Sequence, residues 1–216
     1  MKTINLSEQN SLLNSFMSEL RDVNIQKDSL RFRRNIERIG EITAYELSKT
    51  FVYKRANVET PLATAEVSLP TEKVVIATIL RAGLPFHQGF LNYLDHAENA
   101  FVSAYREYTS ETEFYIHTEY IASPSLEGKT LIICDPMLAT GSSMEVAYRA
   151  LLQKGTPKKV YLASVLATPQ AIDYLQTLMP EDITLYTAAI DPVLNPHKYI
   201  VPGLGDAGDL AFGEKL

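Results

Sequence analysis

An α/β fold, with a mainly parallel sheet flanked by helices, is what this sequence predicts, and three observations predict it. From residue 72 onward, short apolar runs alternate with segments of helical period. Several runs, such as "LIIC" at 131–134, are apolar throughout, as strands covered on both faces are. The segments between them are long enough for helical crossovers, which carry the chain back to a parallel neighbour in a right-handed sense.

Taken in order, residues 6–22 and 28–50 read as amphipathic helices, the first with Leu12, Leu13, Phe16 and Leu20 at helical spacing. Ser7 and Asp28 are placed to cap them. Residues 51–71 carry two prolines and short Val/Thr runs, which predicts a small irregular β segment. "KVVIATIL" at 73–80 is a strand, 85–94 a helix and 100–107 a strand, and the Tyr- and Thr-rich stretch 108–122 predicts a protruding hairpin. The strand at 131–134 leads through a loop to a helix carrying Met144, Ala147, Ala150 and Leu151, stopped by Gly155 and Pro157. A strand at 159–167, a helix at 169–179 and a strand at 183–190 complete the alternation. No repeat or low-complexity tract interrupts it, so one domain is expected over 1–216: N-terminal helices at 6–50, a core at 72–191 and a C-terminal loop at 192–213.

Composition bounds the function. With 216 residues, 46% of them hydrophobic, the chain can bury a sizeable core. A formal charge of −6 argues against a general nucleic-acid surface. The basic stretch "RFRRNIER" at 31–38 reads as a helix face, with Glu37 and Glu41 interleaved among Arg34 and Arg38. A single cysteine, Cys134, excludes an internal disulfide and fits a reducing compartment. The opening residues lack the apolar core of a signal peptide, and no segment reaches the ~20 apolar residues of a membrane span. A soluble, cytoplasmic protein is expected, with no membrane partner.

In a parallel sheet, ligands bind beyond the carboxyl ends of the strands. Arg81, Arg106, Asp135 and Asp191 each follow, or nearly follow, a predicted strand, so the fold aligns them at one edge. Asp135 opens the stretch Pro136, Met137, Leu138, Ala139, Thr140, Gly141, Ser142, Ser143, which runs into a helix. A strand, a small-residue loop and a helix N-terminus offer converging N–H groups, hydroxyls and the positive end of a helix dipole, which together make a phosphate cradle. The acid beside it suits sugar hydroxyls or a metal-bound water. The same residue types also serve simply as helix caps. Neither Gly-x-Gly-x-x-Gly nor a Gly-Lys-Ser/Thr motif is present. His87, His96, His117 and His197 are scattered, none at metal-ligand spacing.

Four segments in order, "ILRAGL" at 79–84, "YR" at 105–106, "DPMLATGSS" at 135–143 and "YIVPGLGDAGD" at 199–209, resemble the uracil phosphoribosyltransferases. The likeness runs from about residue 28 to 213, and the last segment is the most specific. The resemblance implies a type I phosphoribosyltransferase fold and a pentosyltransferase of pyrimidine salvage that converts uracil and phosphoribosyl pyrophosphate (PRPP) to UMP and pyrophosphate. It implies that residues 135–143 bind PRPP, with Asp135 on the ribose hydroxyls, and that Arg81 and Arg106 meet its charged groups. It further implies that Tyr199, Ile200, Gly205, Asp206 and Ala207 hold uracil, with Asp206 also near PRPP. Arg81, Asp135 and Asp206 are the expected catalytic residues. Mg²⁺ is expected to arrive with PRPP, GTP is a candidate effector, and a homodimer or higher homo-oligomer is expected.

The sequence departs from that pattern at several points. Ser142 replaces a second glycine, which costs roughly 1–2 kcal/mol if the position needs a left-handed backbone and nothing if it is helical. Thr78 stands where a proline often occurs, and Leu210 where a basic residue is common. Pro196 and Lys198 replace Glu and Gly around His197, and the hairpin lacks its usual Lys-Leu-Pro. These departures motivate two other readings: an enzyme shifted to another base, and a nucleotide-sensing regulator without turnover, against which the acidic charge counts.

Overall fold

The computed structural model describes residues 1–108 and 114–214, and over 104–108 and 114–119 the backbone alone. The chain begins with strand β1 (Lys2–Asn5), a short 3-10 turn, and helices α1 (Leu13–Arg21) and α2 (Ser29–Ser48). A hairpin, β2 (Tyr53–Glu59) and β3 (Thr64–Pro70), precedes β4 (Val74–Ile79), α3 (Gly83–Leu91), β5 (Glu98–Tyr108) and β6 (Phe114–Ala122). Then come β7 (Thr130–Cys134), β8 (Met137–Leu138), α4 (Ser142–Leu151), β9 (Lys159–Ala167), α5 (Pro169–Leu178) and β10 (Thr184–Ile190). Two short strands, β11 (Val193–Leu194) and β12 (Ile200–Val201), and helix α6 (Ala207–Phe212) close the chain.

The main sheet has the order β1-β10-β9-β7-β4-β5-β6, with β8 beside the end of β9. Its pairings are parallel except β5 with β6. The core follows the two-residue period of the strands. Val74 and Ile76 of β4, Ile132 and Cys134 of β7, and Tyr161 and Ala163 of β9 join one cluster with Phe32, Ile36 and Ile39 of α2 and Phe86 and Phe90 of α3. Val75, Ala77, Leu131, Ile133 and Leu162 face the other way, onto Met144, Ala147 and Leu151 of α4 and Ala171 and Leu175 of α5. From β4 the chain moves outward to β5, then returns to the opposite side of β4 with β7. That reversal opens a crevice at the carboxyl ends of β4 and β7.

The strands and helices from 73 to 190 lie where the apolar periods put them, within a few residues. Four local expectations need correction. The first helix begins at Leu13 rather than residue 6, because residues 2–5 form an edge strand paired with β10. That strand is short and partly exposed, so it needs no apolar run. Ser7 caps no α-helix and instead donates to Asn5 Oδ1, whereas the Asp28 carboxylate caps α2 by accepting from the Leu30 and Arg31 amides. Residues 53–70 form a regular antiparallel hairpin rather than an irregular segment. The C-terminal stretch is not loop alone, since β11 and β12 pair and α6 follows. The tip of the expected 108–122 hairpin, 109–113, lies outside the described residues, while β5 and β6 pair in antiparallel register on either side of it.

Candidate active site

Beyond β7, the chain turns into the loop that the apolar strand delivers to the crevice. Asp135 is the first residue after the strand, and its amide donates to Ala163 O at 3.0 Å. The loop is then pinned from the neighbouring strand. The Val165 and Leu166 amides donate to Pro136 O, the Thr168 amide to Leu138 O, and Thr168 Oγ1 to Ala139 O at 2.8 Å. These bonds consume carbonyls of the loop and hold its shape.

Gly141 has φ of 82° and ends the loop as the N-cap of α4. A Cβ there would meet Tyr174 Cδ1 at 3.0 Å and Leu175 Cγ at 3.1 Å, so the position needs glycine on both counts. Ser142 is already the first residue of α4. The left-handed conformation therefore falls on the glycine the sequence keeps, and Ser142 bears no strain. Thr140 Oγ1 and Ser142 Oγ lie 2.9 Å apart, Thr140 Oγ1 accepts from the Ser142 amide at 3.4 Å, and the N-cap Gly141 has no side chain to cap the helix. A small cavity of about 50 Å³ sits over this turn, lined by Asp135, residues 137–141, Ser143 and Met144.

A larger cavity of about 320 Å³ adjoins it and shares Asp135, Met137, Ala139 and Ser143 with it. Its other walls are residues 79–82 beyond β4 and residues 198–200 and 205–208 near the C-terminus. Arg81 Nη2 donates to Asp209 Oδ1 at 2.9 Å and Nη1 to Gly213 O at 3.2 Å, while Nε is buried without a partner. Asp206 caps α6 by accepting from the Asp209 amide at 2.9 Å, and Gly208 lets the helix start lie close to Arg81. The Leu80–Arg81 and Val201–Pro202 peptides are cis.

The charges in the cavity differ in their support. Burial pushes the Asp135 carboxyl up to about 6, with the Met137 amide on Oδ1 acting in the opposite sense. Cys134, one residue earlier and fully buried, has its thiol pushed well above its ordinary value by burial and by Asp135, so it is a core residue and not a nucleophile.

A family model described as uracil phosphoribosyltransferase matches residues 7–214. The chain belongs to that family. It is 62% identical over 216 residues to a uracil phosphoribosyltransferase from Porphyromonas gingivalis, covering all of both chains. The structure of the AQ2163 protein from Aquifex aeolicus matches with a TM-score of 0.84 and 29% identity, covering 98% of each chain. A hypoxanthine phosphoribosyltransferase from Staphylococcus aureus matches with a TM-score of 0.51 and 17% identity, over 75% of this chain and 76% of that one, and shares the fold alone. The type I phosphoribosyltransferase fold is thus common to proteins of this family and to one acting on another base.

Within this family fold, the crevice brings together most of the residues singled out in the sequence. Arg81, Asp135, Met137, Ala139, Ser143, Tyr199, Ile200, Gly205, Asp206 and Ala207 line the larger cavity, and Leu138, Thr140 and Gly141 line the smaller. Pro136 and Ser142 line neither: the first shapes the loop through its carbonyl, the second through its hydroxyl. The side chain of Arg106 is outside the described residues. Asp191 does not join its fellow strand-end residues in the cavity. It is buried, accepts from Arg21 Nη1 and Nη2 at 2.7 and 2.8 Å and from the Gly203 amide at 2.8 Å, and so ties the C-terminal loop to α1. Burial alone would raise its carboxyl, but Arg21 and the Gly203 amide together bring it below the ordinary value.

Sequence reasoning missed two residues. Asp209, the partner of Arg81, stands three positions after Asp206 in the same motif, a spacing that puts both acids at the start of a helix. Lys198, noted only as a departure from pattern, lines the larger cavity.

Proposed function

We propose that the paired cavities hold uracil and PRPP, and that this chain, acting as one domain, forms UMP and pyrophosphate from them. The observation that carries the reading is the continuity of the two cavities through Asp135, with the glycine-capped start of α4 on one side and Arg81 and the 198–208 loop on the other. The 5-phosphate lies against residues 137–143, at the start of α4, where Thr140 and Ser143 line the smaller cavity. Asp135 accepts from the ribose hydroxyls, and Arg81 meets the pyrophosphate with its unspent donors. Uracil lies against Tyr199, Ile200 and residues 205–207, where close-set backbone supplies amides and carbonyls to a planar ring. Arg106 is proposed as a second cationic contact.

Departure of pyrophosphate leaves positive charge on the sugar, so placement and charge stabilisation supply most of the rate. Arg81 neutralises the leaving group, Asp135 fixes the sugar, and Asp206 accepts a proton from uracil. Among the described residues no three His, Cys, Asp or Glu side chains cluster as metal ligands. Asp135 and Asp206, the two carboxylates lining the larger cavity, are the residues that would help hold a Mg²⁺ ion arriving with PRPP. Such an ion would supply further neutralisation of the pyrophosphate.

A homo-oligomer is part of this reading. The β2–β3 hairpin is exposed on both faces, with Leu62 97% exposed and Tyr53, Val58 and Leu69 open. A lone two-stranded hairpin is marginal in water, and a second copy of the chain would cover it. No helix among the described residues is long and apolar enough to cross a membrane, and a cytoplasmic location fits the lone buried thiol. GTP as an effector belongs to the same proposal.

Because Ser142 is helical, it gives no reason for lost turnover. Calorimetric titration of PRPP with Mg²⁺ into the wild type, Arg81→Ala and Gly141→Ala tests the site. The reading expects at least a tenfold weaker Kd in each variant, and unchanged Kd values would reject it.

A further inference from the structure

Among the described residues, seven have a left-handed φ, and six of them are glycines. The exception is Lys198, at φ 63°. A long side chain is disfavoured in that region by contact between Cβ and the following carbonyl, and such residues gather where surrounding structure over-determines them. Here the over-determination is visible. Asn195 Oδ1 accepts from the His197 and Tyr199 amides at 3.0 and 2.9 Å, Asn195 O accepts from the Lys198 amide at 2.9 Å, and the Asn195 amide donates to Tyr199 O. Asn195 thus clamps the turn from both sides of Lys198.

This turn lines the larger cavity, where Arg81 and Lys198 are the two basic side chains among the described residues. They are not equivalent. Arg81 is already paired with Asp209, and Asp135 and Asp206 also line the cavity, so its walls carry more negative than positive charge until Lys198 is counted. Lys198 is exposed, and its ammonium has no hydrogen-bond or ion-pair partner among the described residues. A cavity read as taking a polyanion holds its one uncommitted described cation on a strained residue.

We propose that Lys198 binds the anionic groups of PRPP, as a substrate-binding cation that this chain places where the family pattern has glycine. The proposal rests on the reading of the cavity as the PRPP site. The ammonium acts as a mobile point charge on a flexible stem, so it lowers the KM for PRPP without changing the chemical step.

The test compares Lys198→Met, Lys198→Gly and Lys198→Arg by initial rates, with PRPP and uracil varied in turn at low and high salt and Arg81→Ala run alongside. Thermal melts establish that each variant is folded, and Lys198→Gly relieves the left-handed strain rather than adding to it. The expected result is a KM for PRPP about tenfold higher in Lys198→Met and Lys198→Gly, a retained kcat, a shallower salt dependence, and near-complete recovery in Lys198→Arg. A KM for PRPP within twofold of wild type in the Met and Gly variants overturns the proposal, as does an effect confined to the KM for uracil. If Arg81→Ala also leaves the KM for PRPP unchanged, the reading of the cavity itself fails. If only the Lys198 variants are silent, that reading stands and the role of Lys198 falls.

Discussion

Arg81 and Asp209 form an ion pair, Nη2 to Oδ1 at 2.9 Å, that joins the loop after β4, on the wall of the larger cavity, to the first turn of α6. About a third of each side chain is exposed, 36% and 32%, so the pair contributes little to stability, on the order of 0–1 kcal/mol. Its consequence is positional. Under the role proposed for Arg81, Asp209→Asn should leave the melting temperature nearly unchanged while lowering kcat/KM for PRPP about tenfold, because the guanidinium loses its aim. Steady-state rates beside a thermal melt decide it.

The pair between Arg21 and Asp191 should behave in the opposite way. Asp191 has 6% of its side chain exposed and makes two bonds to Arg21 and one to the Gly203 amide. Arg21→Met leaves that carboxylate buried without its cation, and a loss of about 3 kcal/mol is expected in urea unfolding. The low carboxyl value of Asp191 gives the sign of the pH effect. Its stabilisation is present above the ordinary carboxylate range and fades as the pH falls through its depressed value, and it should be missing in Arg21→Met.

Burial pushes the Asp135 carboxyl up to about 6, and the role proposed for it needs the carboxylate. Under the proposed role, kcat/KM for PRPP should fall about tenfold per pH unit below about 6, and Asp135→Asn should be slow with no such inflection. Stability runs the other way. A folded value raised above the ordinary 3.8 favours the protonated acid, so the favourable contribution is complete below about 4 and lost as the pH rises through about 6. Asp135→Asn should therefore unfold at higher urea than the wild type at pH 8, which a pair of denaturation curves would reveal.

The turn before α4 separates two adjacent residues that the sequence pattern treats alike. Gly141→Ala should cost roughly 1–2 kcal/mol, from its φ of 82° and the crowding by Tyr174 and Leu175. Ser142→Gly, which restores the family pattern, should also destabilise, by roughly 0.5–1 kcal/mol, because it puts glycine into a helix. A stabilised Ser142→Gly protein in the same urea titration would contradict the helical assignment.

What could be read without coordinates was whatever has a local period or a local motif. The apolar runs of β4, β7 and β9 are buried on both faces, so they appear as continuous runs, and Arg81 after β4 and Asp135 after β7 fall at the crevice by topology. β1 was illegible because an edge strand of four residues needs neither an apolar run nor alternation. Asp191 was misplaced because its partner Arg21 stands 170 residues away, and no local feature distinguishes a strand-end acid that faces a ligand from one that faces an arginine. Ser142 could be argued either way until φ at Gly141 assigned the left-handed residue. Lys198 read as a mere departure because its position on the cavity wall depends on the clamp made by Asn195.

The most direct measurement is pyrophosphate release from PRPP and Mg²⁺ with each nucleobase in turn, in the wild type and in Arg81→Ala. Release with uracil alone, lost by at least a hundredfold in the variant, is the expected result. Release with another base instead, or an equal rate in Arg81→Ala, would contradict the assignment of this cavity to uracil and PRPP.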